Sequence, residues 1–201
     1  KPKSFGKAIL FSVLPETQAL YGFLIAILLM VGGGLLGVIK QGMDISIGLI
    51  AIGAGIAVGF AAISAVGQGI AAASGVTSVA RNPKSFGKSI LFSVLPETQA
   101  LYGFLIAVLL LVGGGLLGVI KPGINVPIGL VAIGSGLAVG ISGVSAIGQG
   151  IAASTGASAA AEHPKTFGKS ILFSVIPETQ ALNGFLISVL LLTTGGIMSS
   201  T

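Results

Sequence analysis

The stretch "FSVLPETQALYGF", Phe11–Phe23, sets one carboxylate, Glu16, inside a long apolar run and directly after a proline. It returns letter for letter at Phe92–Phe104 and, as "FSVIPETQALNGF", at Phe173–Phe185. The surroundings of these acids decide the fold. Only 7% of the 201 residues are charged, 53% are hydrophobic, and the mean hydropathy is +1.07. A soluble domain carries about 25% charged residues. This chain lacks the charge to cover a surface facing water, so lipid is the expected solvent. Each apolar run is about 28–32 residues, roughly 42–48 Å as helix against a ~30 Å hydrocarbon core, and strict alternation is absent. The runs are therefore read as transmembrane helices, which pair their own backbone groups in oil.

Internal repetition organises the chain. Glu16, Glu97 and Glu178 recur at an offset of 81 residues. Between them lie "IGLIAIGAGIAVGFAAISAVGQGIAAAS" (Ile47–Ser74) and "IGLVAIGSGLAVGISGVSAIGQGIAAST" (Ile128–Thr155). Calling the glutamate type E and the glycine- and glutamine-bearing type Q, the order is E-Q-E-Q-E. The expected fold is an all-α membrane protein of tandem transmembrane helical hairpins. Five helices lie in this chain, and a Q helix ahead of Lys1 would complete six. The expected units are 1–42 (an outer helix), 43–123 and 124–201 (each an inner helix, a loop and an outer helix). Gly53, Gly55 and Gly59, with Gly134, Gly136 and Gly140, suit Q helices crowded inside a ring. The bulkier E helices suit a lipid-facing layer. Ordinary bundle packing through small residues gives the same glycine pattern.

Charge falls at two levels. Lys1, Lys3, Lys7, Arg81, Lys84, Lys88, Lys165 and Lys169 share one, with Glu162 and His163, while the other holds Lys40, Lys121 and Asp44. This eight-to-two bias of basic residues places the first level in the cytoplasm. "GVTSVARNPKSFG" and "GASAAAEHPKTFG" are then short cytoplasmic loops, with Pro83 and Pro164 in the first turn of an E helix. The "IKQGMD" and "IKPGIN" turns and the C-terminal "MSST" lie on the opposite side.

An acid at membrane depth costs about 2.5–3.5 kcal/mol on insertion scales. Snorkelling to the interface or gluing two helices would explain one such acid. Three, each about two turns beyond the basic level, point to ion-binding carboxylates at Glu16, Glu97 and Glu178. Pro15, Pro96 and Pro177 free a carbonyl one turn earlier, expected at Phe11, Phe92 and Phe173. The result is either a plain kink or an added ligand. Thr17, Gln18 and Tyr21, repeated as Thr98, Gln99 and Tyr102, and as Thr179, Gln180 and Asn183, complete an oxygen-rich cluster. Such a cluster suits a hard cation or a network holding a protonated acid, and it argues against a transition metal. Gln68 and Gln149 add one amide each. Gln68 lies 13 residues before Arg81 and Glu97 lies 16 after it, so amide and acid share a depth within one hairpin. Gln149 and Glu178 flank Glu162 with the same counts.

The chain has no cysteine, which excludes disulfides and thiolate metal sites. No nucleophile–base pair is evident, and no basic-aromatic face suggests nucleic acid. The glycine spacings in "GAGIAVGF" and "VGGGLLG" lack the strand–turn–helix unit of a dinucleotide site.

The repeated P-E-T-Q-x-x-Y cluster with its matched glutamine resembles the rotor-ring proteolipid of archaeal- and vacuolar-type rotary ATPases. The resemblance covers essentially the whole chain. It implies a homo-oligomeric ring in the bilayer, turning against a static membrane subunit whose arginine separates two half-channels. It also implies a central stalk on the cytoplasmic loops, and an ion-translocating role without a catalytic site. Carried over residue by residue, one sodium site joins Gln68 and Glu97 with Thr17, Gln18 and Tyr21. Another joins Gln149 and Glu178 with Thr98, Gln99 and Tyr102. A third joins Glu16 with Thr179, Gln180 and Asn183 of the next protomer, and departs from the pattern twice: asparagine replaces tyrosine at Asn183, and the glutamine-bearing helix that would pair with Glu16 is not in this chain. Sodium is favoured over the proton because the cluster offers a full coordination shell; no organic cofactor is expected. A self-contained cation pore with glutamates facing the axis, or a purely structural proteolipid, are the alternatives.

Overall fold

The computed structural model describes residues 5–198. Lys1, Lys3 and the last residues of "MSST" lie outside these described residues. Within them, ten α-helices stack end to end in pairs: α1 (Phe5–Val13) with α2 (Thr17–Gly32), α3 (Ile45–Ala61) with α4 (Ser64–Arg81), α5 (Phe86–Val94) with α6 (Thr98–Gly113), α7 (Val126–Ser142) with α8 (Ala146–Glu162), and α9 (Phe167–Val175) with α10 (Glu178–Thr194). The pairs form five apolar rods long enough to cross a membrane: Phe5–Gly32, Ile45–Arg81, Pro83–Gly113, Val126–Glu162 and Pro164–Thr194. No strand occurs among the described residues.

The Q rods are longer than their apolar runs, at 37 residues each. The two polar segments expected as loops are mostly helix. Buried small residues such as Ser78, Val79 and Ala160 extend α4 and α8 onto their neighbours. One residue, Asn82 or His163, then turns the chain (φ −130° and −124°), and a 3-10 turn at Pro83–Ser85 or Pro164–Thr166 starts the next rod. Proline fits here because its missing N–H would be unpaired in a first helical turn anyway. Asn82 closes the corner: its side chain accepts from the Lys84 N–H (3.1 Å) and donates to the Ala161 carbonyl (2.9 Å). At the opposite level, Asp44 and Asn125 cap α3 and α7 by accepting from the Ile47 and Ile128 N–H groups, both at 3.1 Å.

Each rod carries one irregular turn. In the E rods it falls at the proline, as 3-10 turns at Leu14–Glu16 and Leu95–Glu97 and a turn at Ile176–Pro177. The carbonyl that meets the polar cluster is that of the residue just before the proline, Leu14 or Leu95. The tightened turn directs the Thr17 N–H and hydroxyl both to the Leu14 carbonyl, and Thr98 does the same to Leu95. The Q rods also tighten, at Ala62–Ile63 and Gly143–Ser145, with i→i−3 bonds such as Ala65 N–H to Ala62 (3.0 Å). Nothing in the local sequence marks this turn.

The rods form two layers. The Q rods lie side by side, α3 along α7 and α4 along α8. Their approach is so close that a Cβ on Gly67 would strike the Ala146 carbonyl, and one on Gly150 the Gly67 carbonyl. Alanine and glycine line this seam because larger residues would separate the backbones. The E rods pack on the outside. The middle one lies along α3, α4 and α8, with Gly103 against Ala57 and Ala61. Phe11 and Phe92 are fully buried, seated where Gly75 and Gly156 leave room, and edge-on to Phe86 and Phe167.

Candidate functional site

The irregular turns of the E rods bring the acids level with the Q-rod glutamines. Glu97 sits where its own rod, the first Q rod and the first E rod meet. Its Oε1 accepts from the Tyr21 hydroxyl at 2.7 Å, and its Oε2 from Gln68 Nε2 at 3.1 Å. Gln68 Oε1 accepts from Gln18 Nε2 at 2.6 Å, and Gln18 Oε1 accepts from the Thr17 hydroxyl at 3.1 Å. That hydroxyl also points at the Leu14 carbonyl, 3.0 Å away. Glu178 repeats the circuit with Tyr102 (2.7 Å), Gln149 (3.1 Å), Gln99 to Gln149 (2.6 Å), Thr98 to Gln99 (3.1 Å) and the Leu95 carbonyl (3.0 Å). The glutamines are sealed from outside: Gln68, Gln99 and Gln149 are fully buried and Gln18 is 1% exposed. Each tyrosine ring is braced by the next E rod, Tyr21 on Phe104 (5.4 Å) and Tyr102 on Phe185 (5.2 Å).

The residues grouped from sequence into these two clusters therefore come together. The equal depth of Gln68 and Glu97 is realised as a direct hydrogen bond. Two contributors carry almost no signal in the sequence. The Leu14 and Leu95 carbonyls enter through the 3-10 turn, which proline permits but does not specify. Phe104 and Phe185 are ordinary apolar letters until the rods are placed; their offset from Tyr21 and Tyr102 is the only clue.

The third group is not brought together within one chain. Glu16 is exposed on the first E rod and has no side-chain partner among the described residues. Thr179, Gln180 and Asn183 are exposed on the last E rod. Thr179 keeps its local bond to the Ile176 carbonyl at 2.8 Å.

Chemically, each complete cluster presents carboxylate, amide, hydroxyl and carbonyl oxygens with no nitrogen or sulfur ligand. That set suits a hard cation or a shared proton. The paired carboxylate is the form that oil tolerates.

The sequence profile of the ATP synthase C-subunit family matches residues 1–29, 52–110 and 133–191, more than half of the chain. The chain is 46% identical to the K subunit of the A-type ATP synthase of Methanocaldococcus jannaschii over 191 residues, 95% of this chain and 80% of that protein. It is 38% identical to the K subunit of the V-type sodium ATPase of Enterococcus hirae over 113 residues, 55% of this chain and 67% of that one. Against the 16 kDa proteolipid of the V-type proton ATPase of Ovis aries the identity is 31% over 161 residues, 77% of this chain and 97% of that one. Two layers of repeated hairpins, a glutamate at the same depth of every E rod and these matches lead to one conclusion: the chain belongs to the ATP synthase C-subunit family, among the proteolipids of archaeal- and vacuolar-type rotary ATPases.

Proposed function

We propose that Glu97 and Glu178 each bind and release one monovalent cation as the protein turns within a ring of its own copies, sodium in preference to the proton. The observation that carries this reading is the duplicated circuit from Tyr21 through Glu97, Gln68 and Gln18 to Thr17. It orients both carboxylate oxygens with neutral donors and leaves the negative charge for a cation to cancel. A bare carboxylate cannot cross lipid, so loading must precede exit from the aqueous path, and rotation becomes coupled to occupancy. Glu16 completes a third site with Thr179, Gln180 and Asn183 of a second copy. A static membrane subunit supplies an arginine that separates entry from exit. The basic level around Arg81, Lys84, Lys88, Lys165 and Lys169 faces the cytoplasm and seats a central stalk. The chain itself carries no catalytic step; ATP chemistry takes place elsewhere in the complex.

A self-contained pore is disfavoured by where the acids lie. Glu97 is held by Tyr21 of a neighbouring E rod, on the outer layer rather than along the Q rods. The test is the double substitution Glu97→Gln with Glu178→Gln in the assembled complex. Ion-coupled ATP turnover should be lost, and turnover at the unsubstituted rate would refute the proposal.

A further inference from the structure

The 81-residue repeat allows each exposed residue to be compared with its buried counterparts. Phe11 and Phe92 are fully buried, yet Phe173 is 70% exposed. Phe5 is also 70% exposed, although its counterparts Phe86 and Phe167 pack edge-on against Phe11 and Phe92. A groove of about 560 Å³ opens between α7 and α10 and includes Gln180, Asn183 and Gly184. One hairpin earlier, the corresponding α3 face is covered by α7, with Gly53 against Ala132. On the E layer, Phe173 and Phe5 are thus the two unmatched halves of the contact made by Phe11 with Phe86 and Phe92 with Phe167, and a second copy of this chain is the occupant that joins them. Glu16 of that copy then lies beside Thr179, Gln180 and Asn183 as Glu97 lies beside Tyr21, which bonds it directly, and Thr17 and Gln18, which reach it through Gln68.

We propose that Asn183 makes this inter-copy site a second kind of site, open and fast-exchanging, while Glu97 and Glu178 occupy closed ones. The inference rests on the ion-binding reading above. The two internal sites are alike, with a tyrosine hydroxyl 2.7 Å from the acid and a ring braced on phenylalanine. Asparagine has neither the ring nor the reach. One oxygen of Glu16 loses its donor, the bracing role of Phe23 goes unused, and the space left by the ring admits water. Phe23 is 64% exposed on its edge. A hydrogen bond to a charged group holds the closed geometry by roughly ten- to a hundredfold. The ring therefore holds two closed sites for every open one.

The test uses the assembled, purified complex and dicyclohexylcarbodiimide, with labelling followed separately at Glu16, Glu97 and Glu178 by peptide mass spectrometry. Without sodium, Glu16 should label faster than the other two. Its labelling should need about ten- to a hundredfold more sodium for half-protection. Asn183→Tyr should slow the labelling of Glu16 and lower its half-protecting sodium towards that of Glu97. Should that variant fail to assemble, Tyr21→Asn decides, because Glu97 must then label faster and need more sodium for protection, moving towards Glu16. Equal labelling and protection at all three acids, or no shift in the deciding variant, overturns the proposal. Absence of sodium protection at every acid would instead refute the sodium reading. The sodium-free rates of Glu16 against Glu97 would still decide the present inference.

Discussion

Replacing Gln68 by leucine removes one side chain from the centre of the first complete site and keeps its volume close. In the native protein Gln68 donates to Glu97 at 3.1 Å and accepts from Gln18 at 2.6 Å, and it is fully buried. The substitution leaves the Gln18 amide without its acceptor and Glu97 Oε2 without its donor. A buried partner left unsatisfied costs about 1–3 kcal/mol. That cost falls on the free site as well and lowers stability; ion affinity falls by what the proposed oxygen ligand Gln68 Oε1 contributes to a charged partner, about 1.5–3 kcal/mol or a factor of roughly 10–150. The assay is the sodium dependence of carbodiimide labelling at Glu97, with Glu178 of the same chain as internal control. Glu178 draws on Gln149 and Gln99, not Gln68, so its half-protection should stay put. A Glu97 value within twofold of the Glu178 value would refute the assignment of Gln68 to the site.

Other outcomes follow from the packing. Gly67→Ala and Gly150→Ala should block assembly of the complex on native gels, because the added Cβ meets a backbone carbonyl that cannot move aside; overpacking costs about 1–3 kcal/mol or more. Gly87→Ala, with nothing within 4 Å of its Cβ position or of those of its repeat counterparts Gly6 and Gly168, should assemble normally. Lys40 Nζ donates to the Leu116 and Gly118 carbonyls at 2.6 and 2.7 Å, in the turn that follows α6. Lys40→Met should therefore lower the thermal midpoint by a few degrees, since these charge-assisted bonds tie the first E rod's end to that turn. The Arg81–Glu162 pair, 3.5 Å apart with side chains 76% and 60% exposed, should tolerate Arg81→Ala with no measurable change in thermal midpoint.

Much of this protein is legible from letters alone. Low charge with long apolar runs demands helices in lipid, because oil leaves unpaired backbone no other solution. The 81-residue recurrence sets the number and kinds of rods, and counting from Arg81 places Gln68 level with Glu97. Helix rise is fixed, so depth within a hairpin can be read from sequence. Other features depend on contacts between rods that sequence separation conceals. The polar segments around Arg81 and Glu162 are helix, since burial of Ser78, Val79 and Ala160 against neighbours outweighs their loop-like composition. The identity of the carbonyl beside the site depends on how the chain rewinds after proline. Above all, Tyr21 reaches Glu97 from 76 positions away, and Glu16 is left bare. Which residues become neighbours across the layer is set by the lateral order of the rods, a property of packing that no single helix encodes.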